Sequence, residues 1–300
     1  MNAAYQRITN EIITRLEAGT VPWRRPWTRG PPRNLASGKP YRGTNALLLA
    51  AQTYEQPWWL TYRQAQRLGG HVQRGEHGVQ VVYWQPATTH NQGNAQRSYP
   101  LLRTYTVFNL TQCNGIDPPR PTRQPDPGLE AIVAAMPHPP PIRHGGNRAA
   151  YDPGTDTVHM PFLNDFSSLA AYYAVLFHEL VHSTGHQSRL NRPGITERTG
   201  PSNPVYAREE LVAEIGAAFL CGHAGIAPAT IDDIAAYIDG WLRILKQHPR
   251  IVIHAAGAAQ HAAEYILAKQ DERGAEDGAP GPAETPADED PSNEYQHERR

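Results

Sequence analysis

Hydrophobic residues recur at helical spacing from the start of the chain. Ile8, Ile12 and Leu16 are four residues apart and Gly19 follows them, which predicts a helix over residues 5–16. The same spacing returns farther along the chain. It predicts helices over residues 45–53, 61–68, 129–136, 168–183 and 204–221, and a pair over 231–247 and 250–270 that Pro249 divides.

Other segments alternate apolar and polar residues with the period of a strand. Val79, Val81 and Tyr83 occupy every second position after a turn at residues 75–78. This pattern predicts a β-hairpin over residues 71–84. The segment that follows, residues 101–110, repeats this period. We therefore expect sheet and helix together in the first part of the chain.

A proline-rich segment divides the sequence. Residues 117–128 contain five prolines, which exclude a helix or a central strand. From residue 271 onward, charged residues, proline, glycine and alanine replace almost all large apolar residues, which is typical of a disordered acidic tail. The sequence predicts an α+β fold with a small N-terminal α+β domain (1–116), a linker (117–128), a mainly helical domain (129–270) and the tail (271–300).

Composition narrows the cellular setting. Cys113 and Cys221 are too few for a disulfide framework, and no N-terminal apolar run resembles a signal peptide. The longest aliphatic stretch, residues 47–51, is far short of the roughly 20 residues that span a bilayer. We expect a cytoplasmic protein that has no membrane partner.

The two halves of the chain differ in charge. Residues 1–150 carry 17 Arg or Lys against 7 Asp or Glu, and the remainder carries 11 against 22. Aromatic rings beside cationic side chains suit single-stranded nucleic acid, because each base can stack and each phosphate can be neutralised. Trp58, Trp59 and Trp84 are expected in the core instead. The predicted DNA-binding residues are Trp23, Arg24, Arg25, Trp27, Arg29, Arg42, Arg63 and Arg74.

The segment LFHELVHSTGH contains an H-E-x-x-H motif. His178 and His182 are four residues apart on a predicted helix, so both ring nitrogens can face one cation. Glu179 is rotated about 100° around the axis and can reach a metal-bound water without binding the metal. The alternative is an ordinary amphipathic helix whose buried stripe runs from Leu169 to Val181 and leaves the histidines at the surface.

A metal site of this kind needs a third ligand. Ser188 stands where the metzincin pattern requires histidine, and His186 is expected to be a cap or surface residue. On the next predicted helix, Glu210 is expected to bind the metal and Glu214 to hold a ligand histidine by its other nitrogen. Glu209 and Glu214 are the alternatives for the third ligand, and the competing interpretation is a solvated acidic face, to which Glu209 could belong.

This ligand set implies hydrolysis. Two imidazoles and one carboxylate leave a position for water, from which Glu179 would take a proton during attack on a carbonyl group. Residues 156–161 are expected to form an edge strand that pairs with an extended peptide. Tyr206 and His223 are the candidates for stabilising the oxyanion.

Several segments resemble a known family. YQRITNEIITRLEAGTVPWRRPW, YRGTNALLL and YTVFNLTQCNG are similar to the N-terminal, single-stranded-DNA-binding domain of the ArdC-type antirestriction proteins. YDPGTDTVHMP, LFHELVHSTGHQSRLNR and YAREELVAEIGAAFL resemble the zincin-like metallopeptidase domain that follows it in that family. The resemblance covers residues 5–270 and leaves out the acidic tail.

The resemblance implies an antirestriction protein of conjugative plasmids or related mobile elements, which protects incoming single-stranded DNA from restriction enzymes. It implies zinc as the cofactor, with manganese or another divalent metal as the alternative. Two hypotheses follow. Either DNA binding alone is the function and the second domain is auxiliary, or the chain is a protease that cuts proteins bound or crosslinked to DNA.

Overall fold

The computed structural model describes residues 3–24, 31–52, 54, 56–88, 98–119, 128–196, 204–228 and 234–269. It has the α+β class that the sequence predicts, with a mixed N-terminal part and a mainly helical C-terminal part. Most of the predicted linker at 117–128 and the whole tail at 271–300 lie outside the described residues. Among the described helices, none is both long enough and apolar enough to cross a lipid bilayer.

A four-stranded sheet organises the N-terminal part, in the order β1-β2-β5-β4. The last two strands form a long antiparallel hairpin, in which Val79 is opposite Val107. The predicted helices are confirmed with small shifts at their ends. The elements are α1 (Ala3–Glu17), β1 (Arg33–Asn34), α2 (Gly43–Ala50), β2 (Trp58–Thr61), α3 (Tyr62–Arg67), β3 (His71–Val72), β4 (Val79–Thr88), β5 (Ser98–Asn109) and β6 (Cys113–Asn114).

The predicted hairpin over residues 71–84 is wrong. The strand β3 pairs with β6, and β4 pairs with β5, so the two arms of the expected hairpin belong to different sheets. Gly70 permits the β3–β6 pairing, because a Cβ at that position would collide with the carbonyl oxygen of Asn114. Alternation in the sequence identifies strands, but it does not specify which distant strand is the partner.

A three-stranded sheet begins the C-terminal part, in the order β7-β9-β8. The segment expected to be an edge strand, residues 156–161, contains β9, which is the central strand; this expectation is therefore wrong. The strand β8 lies at the edge and contacts α5. The elements are α4 (Leu129–Ala135), β7 (Ile142–His144), β8 (Ala150–Asp152), β9 (Thr157–Met160), α5 (Leu169–Ser183), α6 (Pro193–Thr196), α7 (Pro204–Ala224), α8 (Ile234–Gln247) and α9 (Ile251–Ile266).

The helices α5, α7 and α9 pack against one another around a buried centre. Leu176, Leu180 and Val181 lie in this core as the apolar stripe of α5 predicts. The same stripe predicts that Leu169 is buried, but its side chain is 52% exposed. It occupies the first position of the helix, before the chain enters the core.

One continuous core joins the two parts of the chain. Buried residues from α1 and α2 belong to the same cluster as those of α5, α7 and α9. Polar contacts cross the same boundary, where the amide of Gly43 donates to Gln260 Oε1 at 3.1 Å and Arg42 pairs with Glu264. The helices α8 and α9 thereby tie the N-terminal elements to the C-terminal core.

Candidate metal centre

The helix α5 carries two histidines on one face. Ser168 caps this helix, and its hydroxyl oxygen accepts a hydrogen bond from the amide of Ala171 at 3.1 Å. Residues four apart in a helix share a face, so His178 and His182 point in the same direction. Their Nε2 atoms are 3.1 Å apart. The two imidazoles therefore face one point in space.

The helix α7 brings Glu210 to that point. Its carboxylate oxygens lie 3.8 Å from His178 Nε2 and 3.7 Å from His182 Nε2. Gly216 allows α7 to approach α5 closely, since a Cβ there would be 2.9 Å from both methyl groups of Val181. The third ligand that the sequence predicts is thus positioned by close packing between the two helices.

This donor set fits a divalent cation. One atom from each of His178, His182 and Glu210 lies within 4.8 Å of the others. Two ligand atoms bound about 2.1 Å from a tetrahedral ion are roughly 3.4 Å apart, which is close to the separations here. Within the described part of the chain, no other group of histidine, cysteine or carboxylate side chains forms such a cluster.

The electrostatic surroundings favour a positive charge at this point. Burial alone would lower the pKa of His182, but the neighbouring carboxylates of Glu209 and Glu210 raise it to about 10. Burial likewise acts to raise the pKa of Glu210, yet His182 and His178 lower it to about 2. The carboxylate is therefore ionised, as a metal ligand must be.

Glu179 lies beside the three donors and is buried. Its Oε2 accepts a hydrogen bond from the backbone amide of Tyr151, on the edge strand β8, at 2.7 Å. Burial raises the pKa of Glu179, while His182 and the Tyr151 amide act in the opposite direction. A raised carboxylate pKa makes a stronger base, which suits the role predicted for Glu179.

A hydrogen-bonded group that sequence reasoning missed lies behind Tyr151. The Tyr151 hydroxyl donates to Asp156 Oδ1 at 2.8 Å, and Asp156 pairs with Arg189. Arg189 also donates to the carbonyl oxygen of Ser183 at 2.7 Å. These contacts fasten β8 to the end of α5 and so fix the amide that holds Glu179. No periodic pattern marks the group, because its central contact joins Asp156 to Arg189, 33 residues away.

Glu209 does not belong to a solvated acidic face, which excludes that alternative for this residue. Its side chain is buried, and it accepts two hydrogen bonds from Arg192, at 2.9 Å from Nε and 2.6 Å from Nη2. The other face of the carboxylate is turned toward His182, whose Nδ1 is 3.5 Å from Oε1. Arg192 in turn donates to Thr184 and to the carbonyl oxygen of Val181.

Glu214 lies one helical turn beyond Glu210 on α7. It lines a cavity together with His178. The predicted contact between Glu214 and a ligand histidine therefore stays a prediction, and His178 is the histidine concerned. Beside the other ligand histidine, His182, the neighbouring carboxylate is Glu209.

The two oxyanion candidates are far apart. Tyr206 lies one turn before Glu210 on α7 and contributes to lowering the pKa of the Glu210 carboxyl group. His223 is 13 residues beyond Glu210 on the same helix, roughly 20 Å along its axis, so it does not belong to the site. His186 contacts Ser188 through Nδ1 at 2.8 Å and lies outside the donor cluster, as expected of a capping residue.

The structure corrects part of the predicted DNA-binding set. Trp23 is 1% exposed; its indole packs edge-on against Trp241 at 6.1 Å, and Nε1 donates to the Tyr237 hydroxyl at 3.1 Å. A ring held in this way has no free face for a base. Arg42 is half-buried in its ion pair with Glu264 rather than free for a phosphate group.

Other residues of that set stay predictions. Arg74 is exposed in the turn after β3, and Arg63 is half-buried on α3. The side chain of Arg24 and the residues Arg25, Trp27 and Arg29 lie outside the described residues.

Of the tryptophans assigned to the core, Trp59 is confirmed as buried, with its ring edge-on to Tyr54 at 5.5 Å. Trp58 is half-buried, and the side chain of Trp84 lies outside the described residues.

Two family descriptions match successive parts of the chain. Residues 2–108 match the N-terminal domain of the anti-restriction factor ArdC. Residues 127–258 match the family described as zincin-like metallopeptidase. This range contains all three clustered donors and Glu179.

Solved structures agree with these matches. The metal-free crystal structure of the antirestriction protein ArdC from plasmid R388 is 39% identical in sequence and has a TM-score of 0.75. Its Mn(II)-bound structure has a TM-score of 0.72. Each comparison covers 90% of this chain and 98% of the other.

Related sequences come from bacteria. The uncharacterized protein y4eC of Sinorhizobium fredii is 37% identical over 89% of this chain and 92% of its own length. The DNA primase TraC of Escherichia coli is 35% identical over 88% of this chain, which spans only 27% of TraC. The chain therefore belongs to the ArdC antirestriction family, with an ArdC N-terminal domain followed by a zincin-like metallopeptidase domain.

Proposed function

We propose that this protein serves a mobile element by binding incoming single-stranded DNA without sequence specificity and by hydrolysing peptide bonds at a divalent metal site. The observation that carries the proposal is the convergence of His178, His182 and Glu210 beside the buried Glu179. Zinc is the proposed ion, with manganese or another divalent metal as the alternative. The proposed place of action is the cytoplasm of the recipient cell.

The residues of the centre divide the hydrolytic work. A bound divalent cation would supply a Lewis acid that lowers the pKa of water toward about 7. Glu179 accepts a proton from the attacking water as its oxygen bonds to the carbonyl carbon, and gives that proton to the amine nitrogen as the C–N bond breaks. The Tyr151 amide holds the Glu179 carboxylate during both transfers. Tyr206, one turn before Glu210 on α7, is the proposed donor to the oxyanion.

The edge strand β8 is the proposed docking strand for the peptide. An extended peptide can add to an exposed sheet edge through main-chain hydrogen bonds. Of the two outer strands of the sheet, β8 is the one whose backbone contacts Glu179. A peptide along this edge would pass beside the three donors.

The N-terminal part is the proposed DNA-binding region. Its excess of arginine supports an electrostatic contact with phosphates. Arg67, the last residue of α3, and Arg74, in the turn after β3, are both exposed and lie close together in sequence. The segment around Trp27 supplies the proposed stacking residue.

A second candidate function is a DNA-associated protease that cuts proteins bound or crosslinked to DNA. The shared core between the two parts favours it, because DNA held by α1–β6 would be kept at a fixed distance from the metal centre. Under this alternative, protection from restriction would follow from destruction of a protein on the DNA.

One substitution tests whether hydrolysis is needed. Glu179→Ala removes the proposed base and leaves the three clustered donors, and Glu130→Ala, at an exposed glutamate on α4, is the control. Both variants are compared with the original chain for protection of unmodified DNA entering a restricting host, and metal content is measured in each. Loss of protection in Glu179→Ala alone supports a hydrolytic role. Full protection with a retained metal removes hydrolysis from the mechanism.

A further inference from the structure

We propose that a cavity beside the metal centre binds a large apolar side chain of the peptide substrate. The cavity lies between α5 and α7 and has a volume of about 210 Å³. This inference rests on the proposed hydrolytic function and specifies its substrate class. The apolar lining consists of Ala174, Val175, Ala217, Ala218, Cys221 and Pro228.

The cavity shares one residue, His178, with the metal centre. The same imidazole that lies 3.8 Å from Glu210 forms part of the cavity lining. A substrate whose carbonyl group lies at the three donors therefore has its neighbouring side chain next to the cavity.

Small side chains on facing helices create the space. Ala174 on α5 and Ala217 and Ala218 on α7 leave a gap that larger residues would fill. Protein interiors seldom retain gaps larger than a water molecule, because the lining atoms lose dispersion contacts. A ligand that enters the gap restores those contacts.

The lining selects an apolar occupant. Apart from Val175, the five apolar lining residues are all alanine, cysteine or proline, and the buried Cys221 thiol behaves as a small hydrophobic group. An engineered apolar cavity of about 150 Å³ holds benzene, so this volume suits leucine, methionine or phenylalanine. Glu214 is the single carboxylate in the lining, which makes lysine the competing occupant to be tested.

Amino-acid hydroxamates test the proposal without requiring peptide cleavage. The 300-residue chain is loaded with zinc, its metal content is verified, and the dissociation constants of glycine, leucine, phenylalanine and lysine hydroxamates are measured by calorimetry. All four share the metal-binding group and differ in the side chain. Burying a leucine or phenylalanine side chain should tighten binding roughly 10- to 100-fold relative to glycine.

Two substitutions locate the effect in the cavity. Ala218→Leu fills the space and should reduce the advantage of the leucine and phenylalanine compounds to less than about threefold, with glycine hydroxamate unchanged. Ala134→Leu, at an exposed alanine on α4, should leave all four affinities as they are. Val175→Ala removes two methyl groups from the lining without overpacking, and should weaken leucine hydroxamate alone about 3- to 10-fold.

The outcomes separate this proposal from the one on which it rests. Equal affinity for all four hydroxamates, or strongest binding of the lysine compound, overturns the apolar pocket while the metal centre stands. Failure of every hydroxamate to bind a zinc-loaded protein overturns the pocket and the metal centre together. A selective gain for leucine and phenylalanine that Ala218→Leu abolishes supports the pocket, even if no peptide is cleaved.

Discussion

Glu209 Oε1 lies 3.5 Å from His182 Nδ1, on the side of the imidazole away from His178 and Glu210. This Nδ1 is buried and has no hydrogen-bond partner of good geometry. If His182 binds a cation through Nε2, the ring carries its proton on Nδ1, where Glu209 is the nearest acceptor. Glu209 is then a positioning residue for the metal ligand His182.

Metal affinity should therefore depend on Glu209. Glu209→Gln keeps the shape of the side chain and removes its charge, and we expect it to weaken zinc binding about 10- to 100-fold. Competition with a chromogenic chelator measures the dissociation constant directly. Glu214→Gln in parallel tests the carboxylate that sequence reasoning chose for this role. A larger loss from Glu214→Gln than from Glu209→Gln would reverse the assignment.

Arg192 should contribute strongly to stability. Arg192→Met leaves Glu209 buried without its partner, and loss of one member of a buried ion pair costs about 3–5 kcal/mol. Urea unfolding of the metal-free protein measures the change. The exposed pair between Lys246 and Glu17 is the control, since Lys246→Met should cost less than about 1 kcal/mol.

The cost of Arg192→Met should also depend on pH. Burial acts to raise the pKa of Glu209, but Arg192 and His182 lower it below the usual 4.5. The stabilisation from the ionised carboxylate is complete above that usual value and is lost as the pH falls through the lowered one. Without Arg192, the buried carboxyl group is protonated more readily. The difference in unfolding free energy between the two proteins should narrow in acid, and a constant difference would contradict this account.

Trp23 should matter for folding and not for DNA stacking. Trp23→Ala leaves a cavity between the short 3-10 helix Pro22–Arg24 and α8, and we expect a loss of about 3–5 kcal/mol in unfolding free energy. The folded fraction should keep its affinity for single-stranded DNA. Trp27→Ala is the matched comparison and should weaken DNA binding by about 1–3 kcal/mol. The opposite pattern would restore Trp23 as a stacking residue.

The sequence predicts local structure and the metal motif well because both depend on short-range spacing. The helix around His178 and His182 follows from apolar periodicity, and Glu210 follows from the requirement for a third ligand. Glu209 and Arg192 contact each other but are 17 residues apart in sequence, and no periodic pattern connects them. The prediction that Trp23 stacks on DNA is wrong because a tryptophan among arginines gives the same sequence pattern whether it packs against a base or against Trp241. Which face of a residue is covered depends on packing between distant helices.

The remaining arginines of the N-terminal part can be separated by the salt dependence of DNA binding. Arg74 is exposed, so Arg74→Ala should remove one phosphate contact and reduce the slope of log affinity against log salt by about 0.7, the value for one contact to a single strand. Arg42 pairs with Glu264, so Arg42→Ala should leave the slope unchanged and lower the unfolding free energy instead.

Titrations of a labelled oligonucleotide at several salt concentrations measure the slopes, and the same proteins are unfolded in urea. If Arg42→Ala reduces the slope as Arg74→Ala does, the ion pair with Glu264 opens when DNA binds, and Arg42 returns to the set of phosphate contacts. If neither variant changes it, the DNA lies elsewhere on the protein.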